Sequence, residues 1–288
     1  MNPLRLQSGF RISYDCPLPV PMMLMLSVHP SRRGDLETPD WLVTDPVLPV
    51  RLYIDGYGNL CSRLLAPAGR LTLSADFVVR DDGQIDPYEP QAVQHLVQDL
   101  PDEVLLYLLG SRYCDTDRLT QLAWTLFRDT PLGWARVQAV ADYVHERIVF
   151  DHAAARPDKT AYQAWEERAG VCRDYAHLAV AFCRCLNIPA RYCTGYLGDI
   201  GVPVVGAMDF SAWFEVYLGG AWRTFDARNN MPRMGRVLIA TGRDAVDTPI
   251  ATTFGDAKLV GFEVISLEAP PVAAPPVAAP PPTQGEVG

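Results

Sequence analysis

The sequence predicts an α+β protein with a β-rich first part, a helical middle and a short meander of strands. Short runs of alternating apolar residues, such as FRISYDC and RLTLSADFVV, lie between residue 10 and about residue 80, separated by turn signals such as DGYGN. Apolar residues at helical spacing follow, and strand-like runs return near residue 190. Helices followed by a meander of strands are typical of an α+β domain.

The composition is that of a globular protein with one large core or two modest ones. The chain has 288 residues, of which 49% are hydrophobic and 20% charged. Its net charge of −9 opposes nucleic-acid binding, because proteins that bind phosphates concentrate Lys and Arg on one face. No apolar run resembles a signal peptide or a membrane span. We therefore expect a cytoplasmic protein without nucleic-acid or membrane partners.

The seven cysteines predict neither a disulfide framework nor a metal site. Their number is odd, and they are scattered without a CxxC pair or a histidine at metal-ligand spacing. We expect a reduced protein that binds no metal and no cofactor.

Stretches rich in proline and aspartate divide the chain into four parts. Residues 1–80 are interpreted as an N-terminal module similar to a β-sandwich, and the polar, proline-containing residues 81–101 as a linker. Residues 102–266 form the second domain. Residues 267–288 are a Pro/Ala-rich tail, whose five-residue repeat predicts a disordered, polyproline-like segment.

The second domain begins with helices and ends with strands. Helical spacing of apolar residues predicts helices at PDEVLLYLLG, DRLTQLAWTLF, WARVQAVADYVHERI, near TAYQAWEER, and from Val171 to Leu186. Alternating patterns predict strands at RYCTGYL, SAWFEVYL and AWRTFDA.

Cys172 is the first candidate for chemistry, because it stands near the start of the helix that follows Gly170. Free backbone amides and the helix dipole favour a thiolate there, so we expect the pKa of Cys172 to fall below its reference of about 8.5. The same amides could hold an oxyanion. Position alone is also compatible with a small buried hydrophobe, the usual role of a free cysteine.

Three segments, GVCRDYAHLA, AWFEVYL and WRTFDAR, together with IPARY, resemble the transglutaminase-like superfamily, whose core is papain-like. The resemblance implies that Cys172 is the nucleophile and that Asp226 is the aspartate of the triad. The family's histidine comes directly before an Ala-Trp pair, and that position is Ser211 here. The first 80 residues are similar to the β module that precedes many bacterial members.

What the resemblance implies for function is thiol-mediated acyl transfer or amide hydrolysis on protein or peptide substrates. Bacterial relatives act beside ATP-grasp ligase-like proteins, which implies a peptide-modification partner. The triad histidine takes the thiol proton and returns it to the leaving amine, and a serine can do neither near neutral pH. We therefore expect activity toward amides to be lost or strongly reduced, with Asp226 either retaining its role or hydrogen-bonding Ser211.

No other histidine obviously replaces the missing one. His177 lies about 140° around the helix from Cys172, so we expect it to serve the core. His152, in the loop FDHAAARPDKT, remains a candidate base at the rim of the cleft. Tyr162, Trp165 and Trp213 are candidates for lining that cleft.

Three functions remain open from the sequence. The first is a cysteine hydrolase or acyltransferase with a degenerate triad. The second is a catalytically inactive pseudoenzyme that binds peptides. The third is a scaffold whose β module and tail recruit partners.

Overall fold

The computed structural model describes residues 4–204, 206 and 208–270. From residue 271 onward, the predicted Pro/Ala tail lies outside the described residues. The helices are α1 (Asp102–Leu105), α2 (Thr116–Phe127), α3 (Trp134–Arg147), α4 (Ala161–Glu167) and α5 (Cys172–Cys185). The strands are β1 (Leu4–Cys16), β2 (Val20–Leu24), β3 (Val43–Asp45), β4 (Arg51–Ile54), β5 (Leu60–Ala66), β6 (Gly69–Asp81), β7 (Val149–Phe150), β8 (Ala169–Gly170), β9 (Ala190–Leu197), β10 (Ser211–Leu218), β11 (Ala221–Phe225), β12 (Arg236–Gly242), β13 (Ala251–Thr253) and β14 (Lys258–Glu268).

The N-terminal module consists of two four-stranded sheets, with strand orders β14-β1-β6-β3 and β13-β2-β5-β4. The long strands β1 and β6 pair antiparallel along their whole length. Alternation buries one face of each strand, for example Leu6, Ile12 and Leu73, against Met22 and Leu24 of the other sheet. The two sheets therefore share one hydrophobic core, as in a β-sandwich.

The last two strands return to this first module. β14 pairs with β1 from Leu6↔Glu268 to Asp15↔Lys258, and β13 pairs with β2. The division predicted from the sequence places residues up to 266 in the second domain. The strand pairing instead joins β13 and β14 to the N-terminal module. The physical reason is that an uncovered sheet edge leaves backbone donors and acceptors unpaired, and these strands cover one edge of each sheet.

The second domain places α5 on one face of an antiparallel sheet with the order β11-β10-β9-β12. Helices α2, α3 and α4 pack around α5. Because the sheet covers its remaining face, α5 is buried on nearly all sides. The predicted α+β class is confirmed. One helix is shorter than predicted, since PDEVLLYLLG forms only α1 and a 3₁₀ turn at Leu106–Leu108.

A short parallel pair determines the surroundings of the helix start. Phe150 of β7 lies opposite Gly170 of β8, and the Asp151 N–H donates to the Gly170 carbonyl at 3.0 Å. The loop after β7 therefore runs beside the turn that enters α5. Among the described residues, no helix is long and apolar enough to cross a bilayer.

Candidate active site at the start of the central helix

The turn before α5 fixes Cys172 as the first helical residue. The Asp174 carboxylate accepts the Val171 N–H at 2.9 Å and so caps the helix. Gly170 has no room for a side chain, because a Cβ there would lie 2.6 Å from Oδ2 of Asp174. Close packing therefore requires glycine at this position, two residues before Cys172.

The Cys172 thiol lies against the backbone on both sides of Ser211. Its Sγ is 3.9 Å from the carbonyl oxygen of Phe210, and the Ala212 N–H is placed to stabilise the thiolate. Ser211 is the first residue of β10, lies opposite Gly195 of β9 and is buried. The position that the resemblance assigns to the family's histidine therefore adjoins the thiol.

The expectation of a lowered thiol pKa is wrong. Burial raises the pKa of Cys172 to about 11, and the nearby Asp209 carboxylate raises it further, whereas Arg228 and the Ala212 N–H oppose the shift. Removing the thiol from water outweighs the favourable helix terminus. At pH 7 only about one thiol in ten thousand is ionised, against about 3% at the reference pKa.

Asp226 is buried just beyond the end of β11, and its carboxylate is engaged on both oxygens. Oδ1 accepts the backbone N–H groups of Arg228 (3.0 Å) and Asn229 (2.9 Å). Oδ2 accepts the Asn229 amide (2.8 Å) and the Arg236 guanidinium (3.1 Å). The predicted hydrogen bond from Ser211 is not among these contacts. Asp226 instead shapes the turn after β11 and anchors Arg236.

Asp209 and Arg228 act electrostatically on the Cys172 thiol, and His152 acts on Asp209. Asp209 directly precedes Phe210; loss of hydration raises the pKa of its carboxyl, while His152 and Arg228 lower it. The Arg228 guanidinium lies over the Phe150 ring at 4.3 Å, and the exposed His152 ring packs edge-on against the same ring at 4.8 Å. No sequence pattern marks Asp209 or Arg228 as a site residue, although Asp209 lies three residues before AWFEVYL and Arg228 is the last residue of WRTFDAR.

His177 is a core residue, as expected from its angle on the helix. It is fully buried and stacks on Tyr113 at 5.1 Å, with Tyr192 beside it at the same distance. Its Nε2 accepts the Ala245 N–H at 3.1 Å. Burial lowers the pKa of His177 well below 6.5, so the ring is neutral at pH 7.

The three aromatic cleft candidates lie in different surroundings. Tyr162 lies under the Arg118 guanidinium at 3.6 Å, and Trp165 donates its Nε1–H to the Tyr143 hydroxyl at 2.9 Å. Both pack against the core around α5. Trp213 is buried and contributes to a polar cavity of about 350 Å³ between the sheet and the N-terminal module. Their role toward a substrate stays a prediction.

The described residues contain no group of three or more His, Cys, Asp or Glu side chains arranged to hold a metal ion.

Comparisons with known proteins place this site in a family. A family model described as the transglutaminase-like superfamily matches residues 121–227, which include Cys172, Ser211 and Asp226. A solved structure from Cytophaga hutchinsonii, described as a candidate cysteine protease, is 30% identical. The similarity covers 96% of this chain and 94% of that one, with a TM-score of 0.79.

Curated relatives come from mycobacteria and are uncharacterized proteins. One from Mycobacterium leprae is 29% identical over 115 residues, which span 38% of this chain but only 41% of that protein. One from Mycobacterium tuberculosis is 27% identical over 221 residues, 68% of each chain. With its papain-like core, its N-terminal β module and a near full-length structural match, this chain belongs to the transglutaminase-like superfamily.

Proposed function

We propose that the chain performs thiol-mediated acyl transfer or hydrolysis through Cys172 on protein or peptide acyl donors, with activity toward amides lost or strongly reduced. One observation carries the proposal: the thiol lies against the backbone on both sides of Ser211. The nucleophile thus adjoins the position of the family's histidine, and a serine stands there instead.

The two proton transfers explain which substrates remain accessible. The missing imidazole would remove the thiol proton, and a thiol with a pKa of about 11 rarely loses it unaided. The imidazole would also protonate the leaving group, and an amide nitrogen leaves poorly unless it is protonated. Esters and thioesters have better leaving groups, so we expect reaction with these activated donors. A peptide-modification partner that supplies activated donors fits this restriction.

The test is acylation of the protein by an activated ester, followed by intact-protein mass spectrometry and peptide mapping. We expect one acyl group on Cys172, no adduct in Cys172→Ala, and an unchanged adduct in Cys185→Ala, which removes a buried thiol from the same helix. Ser211→His should gain cleavage of peptide amides. Rapid amide cleavage by the unmodified chain, or acylation that persists in Cys172→Ala, would contradict the proposal.

A second function is a catalytically inactive peptide-binding module or scaffold. The observation that favours it is the double engagement of Asp226 by Asn229 and Arg236, which leaves the triad aspartate in a structural role. Under this alternative no acyl adduct forms on Cys172 at any pH, while peptide binding persists in Cys172→Ala.

A further inference from the structure

We propose that His152 acts as the base for Cys172 in place of the missing histidine, with Asp209 as its positioning residue. This inference rests on the thiol chemistry proposed above. It names a catalytic residue that lies outside the three segments that carry the family resemblance.

The first support is the path of the backbone. β7 and β8 run parallel, with Phe150 opposite Gly170, so the two segments leave the pair in the same direction. The Asp151 N–H bond to the Gly170 carbonyl, at 3.0 Å, continues the pairing by one step. His152 follows on one side and Cys172 on the other, two residues after Gly170.

The second support is the state of the His152 ring. The imidazole is exposed and packs edge-on against Phe150 at 4.8 Å. Within the described part of the chain it makes no hydrogen bond or ion pair, so both ring nitrogens are available. Its backbone is held, because the Asp151 carboxylate accepts the Ala153 N–H at 2.8 Å. A rotation about the side-chain bonds can therefore bring the ring toward the thiol without moving the loop.

The third support is the charge of Asp209. This residue precedes Phe210, whose carbonyl is 3.9 Å from Sγ of Cys172. Its carboxylate interacts with both groups: it opposes formation of a thiolate, and it attracts a charged His152. A proton moved from sulfur to the imidazole would create a cation that Asp209 attracts, and this attraction offsets the repulsion between Asp209 and the thiolate.

Other charged groups around this cluster balance one another in part. Arg228 stacks on Phe150 and favours the thiolate. Asp226 opposes the thiolate but is paired with Arg236. Further charged side chains on the adjacent elements are those of Asp151, Arg156, Arg173 and Asp174.

The proposed reaction balances in protons and bonds with the acyl donor and water as the only reactants. The Cys172 S–H proton moves to a ring nitrogen of His152, and the sulfur forms a bond to the acyl carbon. The bond to the leaving group breaks, and the departing alkoxide or thiolate takes a proton from water, while the imidazolium gives its proton to the hydroxide that remains. This route serves esters and thioesters but not amides, whose nitrogen must be protonated as it leaves. Water then attacks the thioester, giving its proton to the imidazole, which passes it to the departing thiolate.

The test is the rate of Cys172 alkylation by iodoacetamide between pH 5 and 10, read by mass spectrometry. In the unmodified chain we expect reaction at pH 7, well below the pH at which the thiol ionises unaided. His152→Gln should react about tenfold or more slowly at pH 7, given the usual size of general-base effects, and approach the unmodified chain only at alkaline pH. His95→Gln, which changes a remote histidine, is the matched control and should keep the profile.

A double-mutant cycle separates positioning from simple structural support. Asp209→Asn should slow acylation by the activated ester in the presence of His152. In His152→Gln the same change should not slow acylation, because removing the carboxylate then only lowers the pKa of the thiol. If the pH profile of His152→Gln superimposes on that of the unmodified chain, this inference is wrong, whereas a Cys172 adduct would still support the proposed function. Absence of any Cys172 adduct in all variants would reject both.

Discussion

Replacing Arg236 with methionine tests how much its buried ion pairs with Asp86 and Asp226 stabilise the fold around the candidate site. The guanidinium pairs with Asp86 at 2.9 Å and with Asp226 at 3.1 Å, and its side chain is only 9% exposed. Its removal leaves two carboxylates without their cation, and breaking a buried pair in this way costs about 3–5 kcal/mol. We expect the free energy of unfolding of Arg236→Met to fall by about that amount, roughly a thousandfold in the folded-to-unfolded ratio.

The assay is urea unfolding followed by tryptophan fluorescence, with Arg223→Met as the matched control. Arg223 also pairs with an acidic residue of the 81–101 segment, Glu89, but these side chains are 24% and 37% exposed. A pair this accessible contributes about 0–1 kcal/mol. Equal losses of stability in the two variants would refute the reasoning, because burial would then not determine the cost.

Three further outcomes follow from the same contacts. Gly170→Ala places a Cβ against Asp174, so we expect thermal unfolding to show a loss of about 1–3 kcal/mol and the Cys172 adduct to form more slowly. The control is Gly34→Ala, whose Cβ would meet no atom within 4 Å and whose stability should not change. Burial raises the pKa of Cys114 to about 12, so the unfolded chain loses this proton first and stability should fall from about pH 9 to pH 12. In Cys114→Ser the urea midpoint should fall less steeply with pH over this range. If the pH dependence is unchanged, the Cys114 thiol does not cause the loss of stability. Burial lowers the pKa of His177, so the unfolded chain binds this proton first and the free energy of unfolding should fall as the pH drops below 6.5. His177→Phe should remove this loss. If the variant loses the same stability in acid, His177 is not the cause.

The sequence was sufficient for the elements that carry their own local signal. The apolar faces of α2, α3 and α5 have helical spacing, and the strands β9, β10 and β11 alternate, so their positions and the α+β class were predictable. Cys172 was placed correctly at the helix start for the same reason. The family resemblance identified Ser211 as the position of the family's histidine, because the order of the motifs can be compared between sequences without a structure.

The electrostatics of the site were not predictable from the sequence. The sequence showed Cys172 at a helix terminus but gave no measure of how far folding removes its thiol from water. It also gave no sign that Arg236, ten residues after Asp226, would donate a hydrogen bond to the Asp226 carboxylate. Both effects depend on distances between segments that are separated in the chain, so no local pattern encodes them.

The return of β14 to β1 has a consequence for how this protein is made. The Ala269 N–H donates to the Arg5 carbonyl at 2.7 Å, so the two ends of the described chain meet. The helical domain is therefore an insertion within the N-terminal module, which is completed only by its last strands. During synthesis, the β1 and β2 edges stay uncovered until residues 251–268 leave the ribosome. A chain truncated before residue 251 would keep Cys172 and its helix, yet expose two sheet edges that invite association with other chains.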